Sequence, residues 1–203
     1  IETYAFNECR NLKNVTISEG VGGIGSRAFQ RTALETINIP SSVQSIESHA
    51  FNECRELKNV TISEGVEVIG NAAFAATALE SVNIPSSVKI IETHAFNGCR
   101  LLKNVVISEG VMYFGVSAFE STALEEVVLP SSVQYISDLV FHNCSKLKKV
   151  TFKSNNLVYY GDWVFLSCNN IEVFVPSESV DFYFNWLSQY SNITIYQINN
   201  EVK

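Results

Sequence analysis

The stretch AFNECRELKNVTISEGVEVIG at residues 50–70 returns almost letter for letter as AFNGCRLLKNVVISEGVMYFG at 95–115, and it opens the chain as AFNECRNLKNVTISEGVGGIG at 5–25. These near-copies stand 45 residues apart. Between them lies a variant with Thr for Cys and PSSV for SEGV, as in AFQRTALETINIPSSVQSI at 28–46. The smaller period shows in the phenylalanines at 6, 29, 51, 74, 96, 119, 141 and 165, spaced 23, 22, 23, 22, 23, 22 and 24 residues apart. After each Phe comes Cys or Thr, then an L-x-x-V-x-I run such as Leu57, Val60, Ile62, then a V-x-x-I pair such as Val66 and Ile69.

A unit of 22–24 residues cannot bury its apolar side alone. Stacked on a neighbour, it becomes one rung of a continuous core. The V-x-I alternation with β-branched residues predicts a strand, and equivalent strands of successive rungs pair in parallel. Ser-Glu-Gly and Pro-Ser-Ser segments supply turns. The Ala-Phe segment is too short for a helix and predicts a helical turn. The eight copies fill residues 1–176, with one parallel β-sheet and short helical turns. Residues 177–203 read as a C-terminal capping segment. There Phe182, Tyr183, Trp186, Leu187 and Tyr190 fall at helical spacing, and Ile193–Tyr196 adds a last strand. Such a cap covers an edge that would otherwise recruit other chains.

Hydrophobic residues make up 46% of the 203 residues and charged residues only 17%. A net charge of −7 opposes a nucleic-acid partner, which needs a basic face. No apolar run reaches the ~18 residues of a membrane span. The chain begins at Ile1, inside a repeat and without a signal peptide, which reads as a processed or truncated piece.

The A-F-x-x-C-x-x-L-x-x-V-x-I-x-x-x-V-x-x-I unit resembles the BspA-like leucine-rich repeats over about residues 1–176, and the V-x-V-P run with its aromatic tail is similar to that family's closing segment. The resemblance implies a leucine-rich-repeat solenoid coiled as a right-handed superhelix. It also implies a cell-surface or secreted protein of host-associated bacteria that binds host or matrix proteins or adheres to cells. It supplies no catalytic residue.

Read for chemistry, the chain offers little. Cys9, Cys54, Cys99 and Cys144 lie two rungs apart, about 10 Å at strand spacing, beyond disulfide reach. They and Cys168 read as reduced core thiols, at least four of them buried. His49, His94 and His142 lack ligand partners at metal spacing and read as solvated. Nothing matches a nucleophile, phosphate-loop or zinc-protease motif, so no cofactor or metal and no enzymatic activity is expected. Lys13, Glu35, Lys58, Glu80, Lys103, Glu125, Lys148 and Glu172 alternate in sign, which predicts a ladder of cross-strand pairs that fixes register.

Two surfaces remain as candidate partner sites. The outward residues of the strands begin polar, with Asn14, Thr16, Thr36 and Asn38, and become partly apolar at Val106, Glu126, Val128, Lys149 and Thr151. In the V-x-x-I segments, Tyr113, Tyr135 and Tyr159 fall on consecutive rungs and predict a stacked row of rings. The expected function is non-enzymatic recognition or adhesion with a protein partner. A glycan partner, a spacer role and an unrecognised enzyme are the alternatives. The unfinished first rung, with Tyr4, Phe6, Leu12 and Val15, predicts an open edge and self-association through residues 1–24.

Overall fold

Alternation in the L-x-x-V-x-I runs requires strands with one face on a core. The computed structural model, which describes residues 1–198, has them at Thr36–Ile39, Asn59–Ile62, Ser81–Ile84, Asn104–Ile107, Glu126–Leu129 and Lys149–Phe152. Ile37, Ile39, Val82, Ile84, Val127 and Leu129 are buried, and their neighbours along each strand are exposed. Ile171–Pro176 and Ile193–Ile198 complete the row. Every pairing is parallel and in register.

The hydrogen bonding of this row is interrupted. Thr36–Ile39 pairs with Asn59–Ile62 and Ser81–Ile84 with Asn104–Ile107, while the next paired group begins at Glu126–Leu129. From Thr36 to Glu126 pairing follows the 23-residue steps and lapses at the 22-residue steps; the closing pair, Ile171–Pro176 with Ile193–Ile198, joins across 22 residues. The difference is one residue: long corners run Cys54-Arg55-Glu56-Leu57, short ones Thr77-Ala78-Leu79. In the long corner the Leu57 N–H donates to the Cys54 carbonyl at 3.0 Å, a turn for which the short corner lacks a residue. Residues 12–17 face a 22-residue step and take no regular strand, so the first strand expected there is not formed.

A second parallel sheet accompanies the expected one. The V-x-x-I segments form seven two-residue strands, from Gly23–Ile24 through Ile90–Ile91 to Tyr159–Tyr160, in one unbroken ladder. Its inward residues Ile24, Ile46, Ile69, Ile91, Phe114 and Ile136 meet the long-strand residues in one core.

The expected helical turn at each Ala-Phe segment takes the form of a tight corner with two left-handed residues, at positions −2 and +2 from the Phe. Tyr4 and Glu8 flank Phe6 in this way, Ala72 and Ala76 flank Phe74, and Leu139 and Asn143 flank Phe141. Such φ values are uncommon outside glycine. Here they aim backbone donors at the next rung: Ala72 N–H reaches Thr93 O at 2.9 Å, Phe74 N–H reaches Ala95 O at 2.9 Å, and Ala76 N–H reaches Asn97 O at 2.8 Å. The phenylalanines stack from Phe6 to Phe165, with centroids 5.2–5.8 Å apart and planes within 14°.

The 45-residue period is the period of side-chain pairs between rungs. Glu64 accepts the Ser86 and Ser87 amides at 3.1 and 2.9 Å, and Gly65 N–H donates to Ser87 Oγ at 3.0 Å. Gly65 is fixed from the other side, since a Cβ there would sit 2.1 Å from the Ser41 carbonyl oxygen of the preceding rung. Glu19 and Glu109 repeat the arrangement on Ser41–Ser42 and Ser131–Ser132. On the opposite corner Thr32, Thr77 and Thr122 meet Cys54, Cys99 and Cys144, each at 3.2 Å.

The cap matches its expectation within the described residues; 199–203 lie outside them. The helix Val180–Leu187 buries Tyr183, Trp186 and Leu187. Tyr183 packs on Phe152 at 4.8 Å, Trp186 on Tyr160 at 4.7 Å, and Tyr190 on Phe165 at 6.0 Å, closing the end of the phenylalanine column.

Candidate functional site

Outward-pointing side chains on the long strands build one surface from in-register partners. Asn83 stands beside Val106, and Val128, Thr151, Phe174 and Tyr196 follow one another across four strands. Val106 is 58% exposed, and Val128 and Tyr196 are each 42% exposed. Phe174 and Tyr196 stack at 5.1 Å and 19°. Lys149 lies 5.0 Å from the Phe174 ring centre, a cation–π contact, with Glu126 and Glu172 as its register partners. The surface can therefore hold an apolar group along the row and an anionic or cationic one at its flank. Phe174 and Tyr196 went unrecognised in the sequence, although the alternation Ile171, Val173, Val175 does point Phe174 outward.

That register corrects the charge ladder. Glu172 stands opposite Lys149, not Lys148, because the shortened eighth copy brings Ile171 to the position that the ladder residues occupy. Among the described residues, none of the ladder charges forms a direct ion pair. The ion pairs lie elsewhere, in a chain from Arg10 through Glu8, Arg31 and Glu53 to Arg55, and between His142 and Glu120. The ladder side chains are all exposed, where holding two long chains together gains little.

The tyrosine row is only partly assembled. Tyr113 and Tyr135 lie 6.4 Å apart and tilted by 45°, and Ser137 Oγ–H donates to the Tyr113 hydroxyl at 3.2 Å. Among the described residues, no aromatic ring stacks on Tyr159. Its neighbour Tyr160 turns instead to Trp186 and, at 5.5 Å, to Phe182. Tyr113, Tyr135 and Tyr159 belong to the seven-stranded sheet, whereas Val106, Glu126, Val128, Lys149 and Thr151 belong to the long strands. The two sheets turn their inward residues to one core, so their outward residues form separate faces and not one site.

All five cysteines are free. Three are buried, fewer than the four expected, because Cys9 sits on the open first rung and Cys168 on the last. Burial pushes Cys99 up to about 11 and Cys168 up to about 12, the reverse of an activated thiolate. His142 is not simply solvated: its Nδ1 lies 3.0 Å from Glu120, which also accepts from Asn97 Nδ2 at 3.0 Å. His49 is partly buried, and desolvation followed by the Arg27 charge holds its imidazole below the ordinary value. No group of three His, Cys, Asp or Glu suited to a metal is present among the described residues. Among the described residues, no helix is long and apolar enough to cross a membrane.

Two short corners, at Thr32-Ala33 and Thr122-Ala123, each leave a notch between the longer corners that flank them. One notch is lined by Arg10, Arg31, Thr32, Ala33, Glu53, Arg55 and Glu56. Ninety residues further along, the equivalent notch is lined by Arg100, Ser121, Thr122, Ala123, Asn143, Ser145 and Lys146. Open depressions of this kind suit a partner's side chains better than an enclosed small molecule.

The chain overlays on a leucine-rich repeat protein from Bacteroides ovatus with a TM-score of 0.80 and 26% identity, covering 97% of this chain and 52% of that one. The chain thus spans about half the length of that protein. A leucine-rich cell surface protein from Faecalibacterium prausnitzii aligns at 21% identity with a TM-score of 0.46, covering 98% of this chain and 77% of that one. Comparison with curated proteins found no match. The model of the BspA-type leucine-rich repeat region matches residues 1–103 and 69–194, in six copies. With its column of phenylalanines, two parallel sheets and aromatic cap, the chain belongs to the BspA-type leucine-rich repeat family.

Proposed function

We propose that this chain is a non-catalytic recognition module that binds a protein through the apolar end of its long-strand face. One observation carries the reading: the outward row, which begins with Asn and Thr, turns largely apolar at Val106 and then at Val128, Phe174 and Tyr196, with Thr151 between, the last four on paired neighbouring strands. Solvent alone gives no reason to place Val, Phe and Tyr at four of the last five outward positions of the row. Aromatic side chains beside Lys149 suit an interface, since they give large contact area with little entropy to lose. Membership of the BspA-type family supports placing the module on a bacterial surface or among secreted proteins, with adhesion as its role. Tyr135 and Tyr159 are the second surface within this reading, fit for a glycan or an additional contact.

The test is a screen of the purified chain against host matrix proteins and glycans, followed by Val128→Lys and Tyr196→Ala in the best pair. Loss of binding by at least about tenfold with an unchanged unfolding midpoint is expected, the scale of one interface anchor. A spacer would bind nothing in the screen. If both variants bind like the parent and Tyr135→Ala does not, the site is the tyrosine face.

A further inference from the structure

We infer that the notch formed by Arg100, Ser121, Asn143, Ser145 and Lys146 is a carboxylate-binding site that takes an acidic side chain or C-terminus of the protein partner. The notch exists because the corner Thr122-Ala123-Leu124 is one residue shorter than its neighbours Cys99-Arg100-Leu101-Leu102 and Cys144-Ser145-Lys146-Leu147. It encloses about 250 Å³, room for one small anionic group. Its walls carry two cations, Arg100 and Lys146, four neutral polar residues and no acid.

The equivalent notch ninety residues earlier is an internal comparison. There Arg10, Arg31 and Arg55 are already satisfied: Arg31 bridges Glu8 at 2.8 Å and Glu53 at 3.1 Å, Arg10 meets Glu8 at 3.4 Å, and Arg55 meets Glu53 at 3.1 Å. In the later copy Asn143 stands where Glu53 stood, Ser121 where Arg31 stood, and Lys146 where Glu56 stood. Among the described residues, neither Arg100 nor Lys146 forms an ion pair. The exchange replaces both lining acids, Glu53 by Asn143 and Glu56 by Lys146, and of the three arginines it keeps one as Arg100 and turns two into Ser121 and Ser145. Asn143 donates to Ser121 Oγ at 3.0 Å, which holds two of the polar walls together.

Arg offers a planar fork that matches a carboxylate, and Lys and the hydroxyls of Ser121 and Ser145 add single donors. A polyanion is disfavoured: the chain carries a net charge of −7, and the earlier notch is neutralised from within. The notch therefore captures one acid and offers no basic track. It lies at the start of the strands that carry Val128 and Thr151, so one partner segment can place an acid in the notch and an apolar group on the row. In naming a protein as the source of the acid, the inference rests on the recognition reading; the binding chemistry does not.

The experiment titrates the isotope-labelled chain with N-acetyl-glutamate amide, and with N-acetyl-glutamine amide as the neutral control, following backbone amide shifts. Saturable shifts at Ser121–Ala123 and Asn143–Lys146 are expected from the glutamate compound alone. Arg100→Gln or Lys146→Gln weakens them about tenfold each, the scale of one charge-assisted bond, while Arg10→Gln with Arg55→Gln leaves them unchanged. Equal shifts from both compounds, or shifts that survive both single variants, overturn the site. A sulfated polysaccharide that binds at the same residues more tightly than poly-glutamate overturns the protein source. Failure of the Val128 and Tyr196 variants to affect a partner would instead fall on the recognition reading and leave this titration intact.

Discussion

The Cys99 thiol donates to the carbonyl oxygen of Phe74, one rung away, at 3.1 Å. Thr77 donates to the same oxygen at 2.9 Å and meets the Cys99 sulfur at 3.2 Å. The alternation of Cys and Thr along the chain is therefore a two-rung polar lock inside the core. Cys99→Ala removes the donor and opens a small cavity, and should cost about 1–3 kcal/mol in denaturant unfolding. Native thiol titration should label Cys9 fast and leave Cys54, Cys99 and Cys144 until the chain unfolds, because burial raises all three thiols. Fast labelling of Cys99 in the folded chain would contradict this packing.

Acid should weaken the Glu–Ser turns. The Ser87 amide, then the Ser86 amide, holds the Glu64 carboxyl below the ordinary carboxylate range. Burial works against Glu109, but the Ser131 side chain and the Ser131 and Ser132 amides prevail, and it too is lowered. A depressed folded value adds stability that is present above the unfolded pKa, about 4.3, and is lost as pH falls through the folded value. The double variant Glu64→Gln, Glu109→Gln should melt lower than the parent at pH 7, with the gap narrowing below about pH 4. A gap that is constant from pH 7 to pH 3 would show that the charge contributes nothing.

The repeat was legible because Phe, Leu, Val and Ile recur at fixed spacing and each has one place in a rung. The second sheet was less so: a strand of two residues, such as Ile90–Ile91, is too short to show alternation. Left-handed corners were hidden for another reason. Arg27, Ala76, Leu139 and Trp163 occupy them, and none is a residue type that announces positive φ. The outward row was read as far as Thr151. It was lost at Phe174 because the eighth copy shifts by one position and brings Ile171 where Lys148 stood. The notch was not legible, since a one-residue deletion becomes a depression only when the neighbouring corners are placed beside it.

Trp186 should set the stability of the C-terminal cap. It is buried against Phe152, Tyr160 and Phe165, and among the described residues its indole Nε1 has no hydrogen-bond partner. Trp186→Ala should cost about 3–5 kcal/mol. Hydrogen exchange should locate that loss in Val180–Ile198, with the rungs before Lys149 still protected. Trp186→Phe should cost much less, because no hydrogen bond is removed with the indole. Equal costs for the two variants would mean that Nε1 does bond.

Gly98 and Ala76 permit a test with opposite signs at one structural position. Both stand two residues after a phenylalanine, with φ of 70° and 55°. A Cβ on Gly98 would meet Ala76 backbone atoms at 4.0 Å, an ordinary contact, so space does not forbid a side chain there. What remains is the left-handed conformation, which costs an L residue roughly 1–2 kcal/mol, partly offset by the smaller entropy of the unfolded chain. Gly98→Ala should therefore lower stability by about 1 kcal/mol. Ala76→Gly should raise it by up to about 1 kcal/mol, against the usual rule that glycine weakens a regular element. Both N–H groups keep their bonds to the next rung, at Glu120 O and Asn97 O, so the backbone ladder does not confound the comparison. If Ala76→Gly destabilises the chain in urea, the corner residues are not strained and their φ values carry no energetic meaning.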